Sequence, residues 1–184
     1  MKKRQKMNFR DRDLLFVDLE TTGLDMDTHE ITEVGILVVN GRNYKVKKEY
    51  HALVKPLHIE TATEEGLRVG QYSKKRWKEA REPEIVLKEI AGLAPNAMVA
   101  GWKVDFDWGF LEKGFKTHKI IHTYDYHLLD VISIAYAQFV NEKHPKTLSL
   151  RNVARKLKIK IPDEHDAMTD IKATYEVFLK LMKF

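Results

Sequence analysis

The stretch Leu14-Leu15-Phe16-Val17-Asp18-Leu19-Glu20-Thr21-Thr22-Gly23-Leu24 constrains the chain more than any other. Residues 14–17 are apolar without a gap, as in a central strand buried on both faces. Asp18 and Glu20 stand two apart, and in an extended chain such residues point to the same side. The strand therefore delivers two carboxylates together at its carboxyl end, and Gly23 allows a sharp turn after it. Two adjacent like charges repel unless something positive lies between them. Oxygen ligands in this arrangement suit a hard divalent cation such as Mg²⁺ or Mn²⁺. An acidic, solvated strand end is the plainer reading of an Asp-x-Glu alone, so the rest of the chain has to decide.

The 184 residues fit one domain, with residues 1–13 as a polar, basic and mobile lead-in and residues 14–184 as the folded unit. The lead-in reads either as a solubilising tail or as an arm for nucleic acid. Its basic start is followed by Asn8, Arg10, Asp11, Arg12 and Asp13 rather than by an apolar run, which predicts a cytoplasmic chain. No apolar run approaches the ~20 residues of a membrane span. The chain has no cysteine, which excludes disulfides and zinc–thiolate sites. Its net charge of +5 hints at a polyanionic partner, the more so if the active site itself is acidic.

Residues 31–40 predict a second strand with Val34, Ile36 and Val38 on one face. Asn40-Gly41 is a hairpin signal, and residues 44–54 return antiparallel, so a three-stranded meander opens the fold. Residues 59–81 are polar and hard to assign, with a helix start at Thr63-Glu64-Glu65. Around Trp77 stand Lys74, Lys75, Arg76, Lys78 and Arg81. That basic, aromatic-bearing segment could follow a phosphate backbone or could be a solvated helix face. Pro83 begins a helix carrying Ile85, Val86, Ile90 and Leu93 inward.

Residues 97–101 predict a short buried strand that leads into Phe106, Asp107, Phe110 and Leu111. The three apolar residues have helical spacing and read as core. Asp107 adjoins that stripe, where an unpaired carboxylate would be costly unless a metal or a water chain met it. Residues 126–129 read as another strand. Asp130 is taken as the structural N-cap of the next helix, and Ser149 as the cap of the one after. A last helix carries Ile171, Tyr175, Phe178 and Leu179 inward. His165 stands just before it and Asp170 in its early turns, among several neighbouring acids.

Taken together, these segments resemble the DEDDh 3′–5′ exonucleases, the DnaQ-like or RNase T-like branch of the ribonuclease H-like fold. The likeness rests on three motifs in register: residues 16–24, Phe106-Asp107 with Phe110-Leu111, and His165-x-Ala167-x-x-Asp170. It implies an α/β fold with a mixed five-stranded sheet, an antiparallel meander at its start and helices on both faces. It implies that Asp18, Glu20, Asp107 and Asp170 hold two Mg²⁺ or Mn²⁺ ions and that His165 is the general base. Thr21, Thr22 and Gly23 would hold the terminal nucleotide, with Leu24 wedged against its base. The implied substrates are single-stranded or frayed 3′ ends, DNA slightly ahead of RNA, with a polymerase or other replication or repair protein as partner. Trimming of RNA ends is the alternative, and an inactive nucleic-acid-binding module a further one. Members of the family often carry His-Asn ahead of the second motif; here Trp102-Lys103 stands in that place, and Lys103 is expected to contact a phosphate.

Overall fold

The computed structural model describes residues 8–163 and 166–182. Five strands form one sheet in the order β3-β2-β1-β4-β5: β1 Leu14–Thr21, β2 Ile31–Val39, β3 Val46–Leu53, β4 Met98–Gly101 and β5 Leu128–Asp130. β1 pairs antiparallel with β2 and parallel with β4. The first three strands make the expected meander, and β4 and β5 extend it in parallel on the other side. Six α-helices accompany the sheet among the described residues: α1 Glu64–Val69, α2 Pro83–Leu93, α3 Val104–Thr117, α4 Val131–Phe139, α5 Leu150–Lys156 and α6 Ala167–Leu181.

Alternation along β1 builds two cores. Leu15, Val17 and Leu19 pack with Val34, Ile36 and Val38 against α2 and α3. Leu14 and Phe16 face the other way, with Leu37 and Val39, towards α4, α5 and α6. β1 is therefore apolar on both faces because each face is covered by helices. Asp18 and Glu20 share the parity of Leu14 and Phe16, which puts both acids on the α6 side.

The helix starts follow local chemistry. Thr63 accepts from Gly66 N–H at 3.0 Å, Ser149 from Asn152 N–H at 3.3 Å and Asp166 from Thr169 N–H at 2.8 Å. Asp130 caps α4 through Ile132 N–H and also accepts from Lys103 N–H at 3.0 Å, the structural part expected of it.

Three local expectations are corrected. The hairpin after β2 is wider than a two-residue Asn-Gly turn: Tyr44 N–H donates to Asn40 C=O at 2.9 Å, and Tyr44, not Gly41, takes the left-handed conformation at φ 55°. On α2, Ile85 is 50% exposed, and Leu87 takes the inward place beside Val86 and Ile90. Trp77 lies on no solvated helix face; it is buried, and its Nε1–H donates to Thr32 C=O at 2.8 Å. Of the basic lead-in, residues 8–13 run against the fold: Phe9–Asp11 forms a short 3₁₀ turn and Arg12 pairs with Asp125. Residues 1–7 lie outside the described residues. Among the described residues no helix is long and apolar enough to cross a membrane.

Candidate active site

The carboxyl end of β1 and the first turns of α6 meet on one side of the sheet. There Asp18, Glu20 and Asp170 each offer a carboxylate oxygen, and these oxygens lie within 4.8 Å of one another. What brings α6 so close is a missing side chain. Gly35 of β2 stands opposite Asp18 in the register, and a Cβ on it would run into the Ala167 carbonyl. The first turn of α6 thus rests on bare strand backbone, and Asp170 follows three residues later.

Asp107 reaches the same strand end from α3, on the opposite side of the sheet. It is buried, and its Oδ1 accepts from Leu19 N–H at 3.0 Å. The cost of burying that carboxylate is therefore met in part by β1 backbone, a partner that neither spacing nor composition could reveal.

The electrostatics describe a cluster with more negative charge than it can hold. Burial raises the Asp18 pKa well above the usual carboxylate range, and repulsion from Asp107, Asp170, Glu20 and Glu33 adds to it. Glu20 is pushed up to about 7, first by burial and then by Glu33, Asp170 and Asp166, while Arg76 pulls it down. Burial also raises Asp107, and the bond from Leu19 N–H opposes it. The donors are all oxygens, and burial together with mutual repulsion makes Asp18 and Glu20 hold their protons more tightly than usual. A hard divalent cation relieves that repulsion, so this all-oxygen donor set fits one.

Glu33 is the residue that sequence reading passed over. It stands directly across from Glu20 and is fully buried, although like charges in that position destabilise a strand pair. Arg76 compensates it by donating to its Oε2 at 2.9 Å, and His51 Nε2 lies 2.8 Å from its Oε1. The available signal was an acid inside the apolar run of β2, a place where an acid needs a partner.

The turn after β1 is wedged between neighbours. A Cβ on Gly23 would lie 2.5 Å from the His29 ring, and one on Gly66 of α1 would lie 2.5 Å from Thr22 C=O. Both threonine hydroxyls serve the turn: Thr21 donates to Gly23 C=O at 2.7 Å, and Thr22 accepts from Glu30 N–H at 2.9 Å. Leu24 is 82% exposed at its tip. Lys103 is exposed and sits before α3 in the left-handed conformation, φ 59°. His165 lies outside the described residues.

Comparison with known proteins agrees with this architecture. A family model described as an exonuclease, RNase T, matches residues 15–178. The chain is 26% identical over 175 residues to a PolC-type DNA polymerase III of Thermotoga maritima, covering 95% of this chain and 12% of that protein. It is 26% identical over 168 residues to the 3′-5′ exonuclease DinG of Staphylococcus aureus, covering 89% and 17%. The chain thus spans less than a fifth of either relative. Among solved structures, exonuclease I superposes with a TM-score of 0.81 at 17% identity, over 94% of this chain and 41% of that one. The E. coli exonuclease I complex with a dT13 oligonucleotide gives 0.78 at 15% identity, over the same shares. At that identity the superposition establishes the fold, a ribonuclease H-like mixed sheet. The three motifs, the sheet order and the match over residues 15–178 converge on one statement: this chain belongs to the RNase T exonuclease family, the DnaQ-like group.

Proposed function

We propose that this chain removes nucleotides one at a time from the 3′ end of a single strand, DNA ahead of RNA, and releases nucleoside 5′-monophosphates. The observation that carries the reading is the convergence of Asp18, Glu20 and Asp170 within 4.8 Å, with Asp107 bound to the same strand end. These four would hold two Mg²⁺ or Mn²⁺ ions. The bound ions would supply Lewis-acid stabilisation of the attacking and leaving oxygens and a more acidic water.

The chain's own residues account for the rest. A water oxygen forms a bond to the terminal phosphorus, the bond from phosphorus to the 3′ oxygen of the preceding nucleotide breaks, and that oxygen takes a proton. His165 is assigned the proton of the attacking water, a task suited to a side chain with a reference pKa of ~6.5. The hydroxyls of Thr21 and Thr22 shape the turn, and each keeps hydrogen-bonding capacity: Thr21 as an acceptor, Thr22 as a donor. Contact with the terminal nucleotide is assigned to Thr21, Thr22 and Gly23, and the exposed Leu24 side chain is assigned to press against its base. Lys103, before the helix that carries Asp107, is assigned a phosphate of the strand. Lys103→Ala should then raise KM more than it lowers kcat.

The decisive experiment is digestion of 5′-labelled single-stranded DNA, duplex DNA and RNA with Mg²⁺, Mn²⁺ or EDTA. The expected result is a ladder shortening from the 3′ end, fastest on single-stranded DNA and absent in EDTA. Faster shortening of RNA would move the substrate to RNA ends. An intact strand under every metal condition would defeat the hydrolytic reading.

A further inference from the structure

A second feature of the same region is a groove of about 310 Å³ beside the segment that follows α1. Lys55, Tyr72, Lys74, Trp77, Lys78 and Glu82 are among the residues that line it. Lys55 is spent on Glu82, at 3.0 Å. Lys74 and Lys78 are exposed, and neither has an ion-pair partner among the described residues. Two uncompensated cations therefore face a concave surface. The floor is aromatic: the half-buried Tyr72 ring packs on Trp77, centroids 4.9 Å apart at 40°. Trp77 is buried and bonded to Thr32 C=O, and the Tyr72 ring rests on it.

The segment that lines the groove also runs past the acid cluster. A Cβ on Gly70 would lie 3.4 Å from a Glu20 carboxylate oxygen, and Tyr72 is only two residues on, a reach of at most ~7 Å. Arg76, between Lys74 and Lys78, is turned inward to Glu33 beside Glu20 and lies over the Trp77 ring at 4.7 Å. The segment thus presents one cation to the buried acids and two to the groove. A single-stranded nucleic acid is the polyanion that also carries flat faces, and paired cations with an aromatic platform are what its backbone and bases use.

We propose that this groove is a second binding subsite for the strand, holding phosphates on Lys74 and Lys78 and a base on Tyr72, away from the scissile end. The proposal rests on the hydrolytic reading above for its substrate class. It is tested by binding rather than by cleavage, so the two can fail separately. Fluorescence anisotropy in EDTA would follow 5′-labelled oligothymidylates of about 4 and about 16 nucleotides, the range of single-strand site sizes. The double variant K74E/K78E should bind the longer strand on the order of 10-fold more weakly and reduce the slope of log K against log salt by about 1.4, two contacts at ~0.7 each. Its affinity for the shorter strand should change less, and K74R/K78R should restore the wild-type values. Y72A should weaken the longer strand by on the order of 10-fold, the loss of one stacked base. Melting temperatures serve as the fold control, since both lysines are exposed. Unchanged affinity and salt slope in K74E/K78E would overturn the subsite, as would displacement of the oligonucleotide by polyglutamate as readily as by unlabelled strand. A chain that binds through these lysines yet never shortens a strand would keep the subsite and lose the hydrolytic reading.

Discussion

Single carboxylates near β1 carry the charge on which the site depends, and their protonation is measurable without any substrate. Glu20 has a folded pKa of about 7 against an ordinary 4.5. The folded chain holds that proton more tightly than the unfolded chain does. Its stabilising contribution is thus complete below about pH 4.5 and is lost as the pH rises through 7. In EDTA the protein should lose on the order of 2–3 kcal/mol between those limits, at about 1.4 kcal/mol per pKa unit, with the melting temperature falling. Glu20→Gln should flatten that slope and raise the melting temperature at pH 7.5. A flat profile for the wild-type protein would show that Glu20 titrates normally. The neighbouring acid Glu33 is held by partners instead, Arg76 at 2.9 Å and His51 at 2.8 Å. Arg76→Ala leaves Glu33 buried beside Glu20 with only His51 to oppose it, and should cost about 3–5 kcal/mol in urea unfolding. Replacing both by apolar residues, Arg76→Met with Glu33→Leu, should recover most of that loss, which a double-mutant cycle would read directly.

At the scale of elements, the site is a matter of how closely α6 sits on β2. Gly35→Ala would drive a methyl group into the Ala167 carbonyl and push the helix away. The expected cost is about 1–3 kcal/mol of stability, as for other overpacked positions. Asp170 would retreat with the helix from Asp18 and Glu20, and a misplacement of about 1 Å can cost 10²-fold in rate. Activity should therefore fall far more than melting temperature, and a parallel fall in both would mean the helix had simply loosened. Elements of this kind were legible to different degrees. The strands of the meander showed in apolar runs and alternation, and the helix starts in Thr63, Pro83, Asp130 and Ser149, because both signals are local. The three acids Asp18, Glu20 and Asp170 were nameable from motif order, and the structure brings them together. Apart from the helix start at Thr63, residues 59–81 were not legible. What fixes them is Trp77 bonding to Thr32 and Arg76 pairing with Glu33, contacts across more than forty residues that leave no periodic trace. The close approach at Gly35 was equally hidden, since a glycine in a strand does not say what rests on it.

Across the whole molecule, the acid cluster lies where two separately packed layers meet. β1 faces α2 and α3 through Leu15, Val17 and Leu19, and faces α4, α5 and α6 through Leu14 and Phe16. Asp170 arrives with the second layer. Asp107 arrives with the first, around the strand end to Leu19 N–H. Asp107 and the group Asp18, Glu20 and Asp170 can therefore reach one strand end only when both cores are assembled, so a cation held there would report on the complete fold. The net charge of +5 sharpens the point: with this much negative charge drawn into one place, the positive excess lies over the rest of the surface. A cation bound only by the folded chain should stabilise it by about 2.7 kcal/mol at a hundred times its dissociation constant. Melting curves recorded against increasing Mg²⁺ or Mn²⁺ should accordingly rise without reaching a plateau at the first excess of metal. Asp18→Asn, which removes charge at the centre of the cluster, should melt higher than the wild-type protein in EDTA and gain little from either ion. If Asp18→Asn instead gained as much from Mg²⁺ as the wild-type protein, the ion would be binding somewhere other than the strand end on which the four acids converge.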